Sequence, residues 1–358
     1  MSQKNCLLIF KNKKLNNFEQ SLSTIAVFSA EGIYFDRVEY CAYDDAEEIS
    51  RSIRECKGKY TNIVLLCPQL MCATLKSYCE KLFEGQFDDL NTFTSADHNL
   101  YLFPYDGESN LKLDELIQIL VKNCNVSCVR YFVKTVGAPL AKINQVIVAA
   151  KEVCADCAFN VSEKYSDCTI EIVYPAATEK SICDNVLRIV LSGLNDYVYA
   201  LENVTLAQRL FQLLKLRRMQ ISVAESFTGG GVSKRLVEIP GISEVFFEGL
   251  NTYSNESKMK RLCVQDKILK QYGAVSEQTA YQMAEGLLNT GDCDISVATT
   301  GIAGPRSDLT AKPVGLLYIA VGTRENIGVY QYNLNGDRQT ITETAINLAL
   351  FHAYKTLK

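Results

Sequence analysis

The first part of the chain combines short apolar runs with helical periodicity. Residues 6–10 (CLLIF) and 62–68 (NIVLLCP) are continuous apolar segments of the length expected for buried strands, and residues 36–43 alternate like a half-buried strand. Apolar positions at helical spacing over 16–31 and 44–56 predict helices, the second with acidic residues at its start. Alternating strands and helices predict an α/β domain with a parallel sheet over residues 1–130.

The pattern changes over residues 131–200. A helical stretch at 143–154 is followed by an alternating segment at 168–176 (CTIEIVYPA) and a second helical stretch at 182–194. This order predicts a small α+β unit with too few residues for a large core, so it is interpreted as a linker domain.

Residues 201–358 return to alternating strands and helices. Thr205 precedes a strongly amphipathic stretch and is a candidate helix N-cap. The tetrapeptide ISVA occurs at 221–224 and again at 295–298, and each copy runs into a polar, glycine-containing segment. The fold class is therefore α/β: two three-layer α/β/α domains joined by a small α+β domain.

Composition restricts the function classes. The chain has 358 residues, 47% hydrophobic and 22% charged, with a formal net charge of −4. This balance argues against a general nucleic-acid-binding or membrane-surface protein. No apolar run is long enough to cross a bilayer, and the first residues do not resemble a signal peptide, so a cytoplasmic location is expected.

Fourteen cysteines raise the question of metal binding. The best candidate set is Cys124, Cys128, Cys154 and Cys157, but its spacing is loose for a zinc site. Small, buried, reduced thiols are the favoured interpretation, and no metal or disulfide is predicted.

Ser226 lies at the junction between the first ISVA strand and a glycine-rich turn, in ESFTGGG. It is either a helix N-cap or a nucleophile, and local sequence weighs the two about equally. The backbone N–H groups of 227–231 could stabilise an oxyanion or bind a phosphate. Since the chain has only two histidines, neither near a motif, Lys258 is the most economical general base.

Two further segments complete the candidate site. Thr299, Thr300 and Gly301 in TTGIAGP can bind polar substrate groups through hydroxyl and backbone. Arg338 follows Gly336 and Asp337 at a strand-to-helix boundary, where it is either a phosphate ligand or a surface partner of Asp337.

Six segments occur in the order and spacing of one known family. They are AESFTGG, TYSNESK, GAVSEQTAYQMAEG, TTGIAGP, KPVGLLYIAV and NGDR. Over about 203–358 the chain resembles the C-terminal domain of the competence/damage-inducible protein A (CinA) family, a nicotinamide-nucleotide amidase. The resemblance implies hydrolysis of nicotinamide mononucleotide to nicotinic acid mononucleotide and ammonia, without a cofactor, by a protein expected to be a homodimer.

The family's functional residues fall on matching positions. The resemblance implies that Ser226 is the nucleophile, with Lys258 and Tyr253 as its catalytic partners. It also implies a substrate-binding set, which comprises Thr228, Gly229, Gly230, Thr300, Gly301 and Arg338. Arg338 would hold phosphate or keep Lys258 neutral by like-charge repulsion.

The chain departs from the family at three places. The segment TTGIAGPRSDLTAKP has fewer glycines after Pro305 than is usual in the family, which bears on the shape of the substrate lid. Phe227 stands where the family usually has cysteine, which could narrow the pocket. Residues 1–130 resemble the family's molybdopterin-binding-like domain, and 131–200 its KH-like linker. The first domain lacks the family's GDE turn and TGGLGPT loop, so the metal-dependent ADP-ribose pyrophosphatase activity that the resemblance implies is predicted to be lost.

Three interpretations remain open. The first is an amidase of pyridine-nucleotide recycling. The second is a nucleotide-binding or scaffold protein whose Phe227 site binds without turnover. The third, residual pyrophosphatase activity in residues 1–130, is disfavoured by the missing loops.

Overall fold

A computed structural model describes most of the chain; the described residues are 4–12, 25, 28, 33–105, 110–123, 128–175, 177–305 and 311–358. Most of the helix predicted over 16–31 lies outside them. The chain divides into two compact units, Met1–Cys128 and Val129–Lys358. The second unit contains two separate sheets, and the division into three domains stays a prediction.

The first unit has a five-stranded sheet. Its strands are β1 (Asn5–Lys11), β2 (Arg37–Ala42), β3 (Asn62–Cys67), β4 (Thr92–Thr94) and β5 (Asn99–Pro104), in the order β2-β1-β3-β5-β4. All neighbours pair in parallel except β4 with β5. The described helices are α1 (Ala46–Cys56), α2 (Cys72–Phe83) and α3 (Asn110–Asn123), and a 3₁₀ turn spans Gln69–Met71.

Both faces of this sheet are covered. Leu8 and Leu65 belong to a core that includes residues of α1 and α2, whereas Leu7 and Val64 belong to another that includes Leu120 of α3. Successive strand residues point to opposite faces of the sheet. Because both faces are buried, every position along β1 and β3 is favourable for an apolar residue, and the two strands are continuous apolar runs. The predicted three-layer α/β architecture is confirmed for this unit.

The second unit begins with a small α+β sheet. Its strands are β6 (Cys128–Val136), β7 (Ala158–Lys164), β8 (Asp167–Pro175) and β9 (Val198–Ala200), in the order β7-β8-β6-β9, with helices α4 (Leu140–Val153) and α5 (Lys180–Leu194). The hydrophobic pattern predicts β8 and both helices. It does not predict β7, because that edge strand is exposed along nearly all its length and has too few apolar residues for a clear alternation.

The second sheet of this unit has five strands joined by two parallel and two antiparallel pairings. The strands are β10 (Ile221–Glu225), β11 (Phe246–Asn251), β12 (Ile295–Gly301), β13 (Leu316–Gly322) and β14 (Ile327–Asn333), in the order β11-β10-β12-β13-β14. The surrounding helices are α6 (Leu206–Arg217), α7 (Gly231–Val237), α8 (Asn255–Leu262), α9 (Asp266–Tyr272), α10 (Glu277–Leu288) and α11 (Arg338–Leu357). A 3₁₀ turn spans Ile242–Glu244.

The repeated ISVA segments form the two central parallel strands, β10 and β12. Val223 and Val297 point into a core shared with α6, α7 and α11, whereas Ala224 and Ala298 point into a core shared with α8, α9 and α10. These two cores make the sheet the middle of three layers, as predicted. Thr205 caps α6 in a reciprocal capping box, which confirms that prediction.

Candidate active site

The carboxyl ends of three parallel strands meet at one edge of the sheet. Glu225 at the end of β10 pairs with Asn251 of β11 on one side and with Thr299 of β12 on the other. Thr252 N–H donates to the Glu225 carbonyl at 2.7 Å, and Ser226 N–H donates to the Thr299 carbonyl at 3.1 Å. These backbone bonds place the loops after all three strands side by side, where open α/β sheets usually bind ligands.

Ser226 and Lys258 are in direct contact at this edge. Ser254 caps α8, and Lys258 lies in the first turns of that helix. Its Nζ is 2.9 Å from Ser226 Oγ, 2.8 Å from the Thr252 carbonyl and 3.2 Å from the Tyr253 carbonyl. Lys258 is 1% exposed and Ser226 is 9% exposed, so the pair is shielded from bulk water.

Burial changes the chemistry of the lysine. Removing the ammonium from water lowers the pKa of Lys258 from 10.5 to about 8. The protonated amine has three N–H groups for its three oxygen partners. The neutral amine has two, which the Thr252 and Tyr253 carbonyls can accept, leaving the lone pair for the Ser226 hydroxyl. This arrangement suits a general base for a serine nucleophile.

The turn after Ser226 depends on two left-handed glycines, Gly229 (φ 61°) and Gly230 (φ 96°). A Cβ on either glycine would meet no atom within 4 Å, so the turn is open on that side. Gly229 N–H donates to the Ser226 carbonyl at 3.1 Å, and Gly231 N–H donates to the Thr228 carbonyl at 3.0 Å.

The carboxylate of Glu225 accepts hydrogen bonds from the backbone N–H groups that follow in the turn and at the start of α7. This residue is 1% exposed and accepts from Gly230 N–H at 3.0 Å, Val232 N–H at 3.0 Å and Ser233 N–H at 2.8 Å. Ser233 Oγ donates a fourth bond at 2.7 Å. The start of α7 is thus occupied by an internal carboxylate.

These contacts narrow the predicted oxyanion site. Of the N–H groups in 227–231, those of Gly229, Gly230 and Gly231 are already bonded within the protein. Among the residues that the structure describes, Phe227 N–H and Thr228 N–H have no partner. Two N–H groups are the number that an oxyanion hole commonly uses, and these two follow Ser226 directly.

The predicted substrate-binding threonines are buried and already hydrogen-bonded. Thr228 Oγ1 lies 2.7 Å from Thr299 Oγ1, joining the serine turn to β12. Thr300 Oγ1 donates to the Ala274 carbonyl at 2.7 Å and so fixes the turn before α10. Both hydroxyls are thus used within the protein, and a direct bond from either one to substrate stays a prediction.

Tyr253 and Arg338 lie at the margin of the site. The Tyr253 residue is 65% exposed, and its carbonyl, rather than its hydroxyl, contacts Lys258. Arg338 is the first residue of α11 and donates from Nη1 to the Gly304 carbonyl at 2.7 Å. Gly304 follows β12, so Arg338 approaches the loop at the same edge of the sheet.

The Phe227 side chain is part of the core. It is 6% exposed and belongs to the apolar cluster that includes Leu317 and Ile346. A Cβ on Gly301 would come within 3.0 Å of the Phe227 ring and 2.6 Å of Leu317 Cβ, so a glycine is needed beside the ring. The ring is accommodated by this apolar side of the turn.

Sequence reasoning missed two residues of the site, namely Glu225 and Thr252. An acid at the last position of a buried strand, directly before a serine and a run of glycines, was an available signal for Glu225. Thr252 acts through its carbonyl, which is not visible in a side-chain pattern.

The described residues contain no group of three or more His, Cys, Asp or Glu side chains able to hold a metal ion. Cys124 lies outside them, and Cys157 Sγ donates to the Cys154 carbonyl at 2.9 Å. The described residues of the first unit therefore do not fit the metal that a pyrophosphatase would need, and the loss of that activity stays a prediction. No helix in the described part of the chain is long and apolar enough to cross a membrane.

Comparison with known proteins places this site in a recognised domain. Residues 203–357 match the family model described as "CinA C-terminal domain". A "Putative competence-damage inducible protein" of Caldicellulosiruptor saccharolyticus is 41% identical over 181 residues, which are 51% of this chain and 44% of that protein. A "CinA-like protein" of Fusobacterium nucleatum is 40% identical over 178 residues, which are 48% of this chain and 43% of that protein.

A solved structure, the competence/damage inducible protein CihA from Agrobacterium tumefaciens, is similar to part of the chain. It is 36% identical with a TM-score of 0.42, and the match covers 43% of this chain and 94% of that one. The chain aligns with less than half the length of the curated relatives it matches.

Proposed function

Residues 203–357 form a CinA-family C-terminal domain, and from that premise we propose that this domain is a nicotinamide-nucleotide amidase. It hydrolyses the carboxamide C–N bond of nicotinamide mononucleotide, giving nicotinic acid mononucleotide and ammonia. The observation that carries the proposal is the buried contact of 2.9 Å between Lys258 Nζ and Ser226 Oγ. The carbonyls of Thr252 and Tyr253 support it by orienting the amine.

The first half of the reaction forms an acyl-enzyme. Neutral Lys258 takes the hydroxyl proton as Ser226 Oγ bonds to the carboxamide carbon. The negative oxygen of the tetrahedral intermediate accepts from the N–H groups of Phe227 and Thr228. Lys258 then gives its proton to the amide nitrogen, the C–N bond breaks, and ammonia leaves behind a nicotinoyl ester on Ser226.

The second half repeats these steps with water. Lys258, neutral again, takes a proton from a water molecule whose oxygen attacks the ester carbon. Collapse of the second intermediate breaks the bond to Ser226 Oγ, and the serine regains its proton from Lys258. The product carries a carboxylate in place of the amide.

The position of Phe227 weakens the case for a scaffold protein that binds without turnover. That interpretation rested on a bulky ring narrowing the pocket, but the ring packs in the core and is 6% exposed. The buried Ser226–Lys258 contact gives a specific reason to prefer the amidase.

The rest of the proposal concerns the setting of the enzyme. It acts in pyridine-nucleotide recycling, in the cytoplasm, as a homodimer and without a cofactor. Sedimentation of the purified chain at micromolar concentration tests the dimer, and a monomeric mass would contradict it.

The proposed activity is tested by ammonia release from nicotinamide mononucleotide. The full chain is compared with Ser226→Ala, Lys258→Ala and the matched control Lys260→Ala, which removes an exposed lysine of the same helix. The first two variants should lose turnover while the control retains it. Binding of the nucleotide without ammonia release by the folded, unmutated chain would reject the amidase in favour of the scaffold.

A further inference from the structure

Glu225 is an unusual buried carboxylate. It ends β10 directly before Ser226 and is 1% exposed. Within the described part of the chain, no lysine or arginine forms an ion pair with it. A buried, unpaired carboxylate is costly unless hydrogen bonds replace its water, and here all of its donors come from the turn and helix that follow Ser226.

The four hydrogen bonds to Glu225 come from residues at the far end of the turn that begins at Ser226. Gly230 N–H and Val232 N–H bond to one carboxylate oxygen, and the Ser233 N–H and hydroxyl bond to the other. The residues from Ser226 onwards therefore form a closed loop whose two ends are joined through the Glu225 side chain. Hydrogen bonds donated to a charged acceptor are stronger than those between neutral groups, so these four bonds hold the turn firmly.

The backbone of the same residue reaches the other half of the site. Its carbonyl accepts from Thr252 N–H at 2.7 Å, and the carbonyl of Thr252 in turn accepts from Lys258 Nζ at 2.8 Å. One residue thus links the turn that carries the serine to the strand end that orients the lysine.

We propose that Glu225 is a positioning residue for Ser226: its carboxylate holds the turn in the shape that sets Ser226 Oγ and the free N–H groups of Phe227 and Thr228 beside each other. This inference rests on the proposed function only in taking Ser226 as the nucleophile. It assigns the start of α7 to an internal anion, so the substrate's phosphate binds elsewhere.

The substitution Glu225→Gln should weaken the four hydrogen bonds that hold the turn while keeping the size of the side chain. The amide has one oxygen to accept bonds, and its NH₂ group faces donors that need an acceptor. A displacement of about 1 Å at a reacting group slows a reaction by about 100-fold. We therefore expect the reaction of Ser226 to be about 100-fold slower in this variant.

The readout is labelling of Ser226 by a fluorophosphonate, located by mass spectrometry. In this step Ser226 Oγ bonds to phosphorus, fluoride leaves, and the hydroxyl proton passes to Lys258. The rate is measured as a function of pH for the full chain and for Glu225→Gln. The control is Glu238→Gln, the same change at an exposed position at the opposite end of α7. Melting temperature is recorded for each protein.

The inference is supported if Glu225→Gln is labelled about 100-fold more slowly, with the pH midpoint of the wild type, while Glu238→Gln reacts normally. If Glu225→Gln fails to fold, Ser233→Ala removes one of the four bonds; it should fold with a somewhat lower melting temperature and give a smaller decrease in the labelling rate.

Two results would overturn the inference. The first is labelling at the wild-type rate in folded Glu225→Gln, or in Ser233→Ala if Glu225→Gln does not fold. The second is the absence of Ser226 labelling in the unmutated chain. Labelling without ammonia release from nicotinamide mononucleotide would reject the proposed substrate and leave the role of Glu225 in place.

Discussion

The buried Lys258 makes the stability of the folded protein depend on pH. Burial lowers its pKa from 10.5 to about 8, whereas in the unfolded chain the amine keeps its ordinary pKa. Between these two values the unfolded state binds more protons than the folded state, so stability rises with pH across that window. The cost of burying the charged amine is fully present below pH 8.

The size of this effect follows from the two pKa values. At 1.36 kcal/mol for each pKa unit, a pKa lowered from 10.5 to about 8 corresponds to about 3 kcal/mol. The substitution Lys258→Met keeps the length of the side chain and removes the titrating group. Since all other groups titrate in both proteins, the difference between their free energies of unfolding isolates the lysine. We subtract the free energy of unfolding of the wild type from that of Lys258→Met at each pH. This difference should be about 2–3 kcal/mol larger at pH 7 than at pH 10.

The assay is urea unfolding at pH 7, 8, 9 and 10. Because the chain has no tryptophan, the transition is followed by circular dichroism. A stability difference that stays constant over this range would show that Lys258 keeps its proton to pH 10. The lysine could then not act as the base near neutral pH, and the reasoning from burial would be refuted.

The same pKa should appear in the kinetics of the unmutated chain. About one tenth of Lys258 is neutral at pH 7 and most of it at pH 9, if its pKa is about 8. The kcat for ammonia release should therefore rise about tenfold over that interval, with its midpoint near pH 8. A flat profile would exclude Lys258 as the titrating base.

Three other substitutions test single features of the site. Tyr253→Phe should change kcat less than about threefold, because the exposed hydroxyl does not contact Lys258; a 100-fold loss would give the hydroxyl the role that the resemblance implies. Phe227→Cys should lower the free energy of unfolding by about 2–4 kcal/mol in urea titrations, since the ring fills core space beside Gly301, and should not raise kcat. Arg338→Gln should raise KM for the nucleotide without moving the pH midpoint near 8, because burial, not repulsion, lowers the pKa of Lys258; a higher midpoint would contradict this.

Much of the C-terminal sheet could be predicted from local sequence. The ISVA strands, the capping box at Thr205 and the strands after residue 313 follow from apolar periodicity and helix-capping chemistry, which act over a few residues. The exposed edge strand β7 could not be predicted in this way, because it has few apolar residues and its pairing with β8 is a contact between separate segments of the chain.

The candidate site shows the same division. The order of motifs marked Ser226 and Lys258, which are 32 residues apart, and the structure brings their side chains to 2.9 Å. The sequence did not show that Lys258 is buried, that Phe227 points into the core, or that Tyr253 meets the lysine through its carbonyl. Each of these depends on neighbours from other strands and helices.

The sequence by itself therefore determined the alternation of elements, the strand ends that carry polar loops, and the residue types available for chemistry. Only the tertiary structure decided which of those groups are free to react. Hydrogen bonds to the Glu225 carboxylate and within the turn engage three of the five N–H groups of 227–231, and packing removes water from Lys258. Desolvation and hydrogen-bond satisfaction depend on the surroundings of a group, which distant segments of the chain supply.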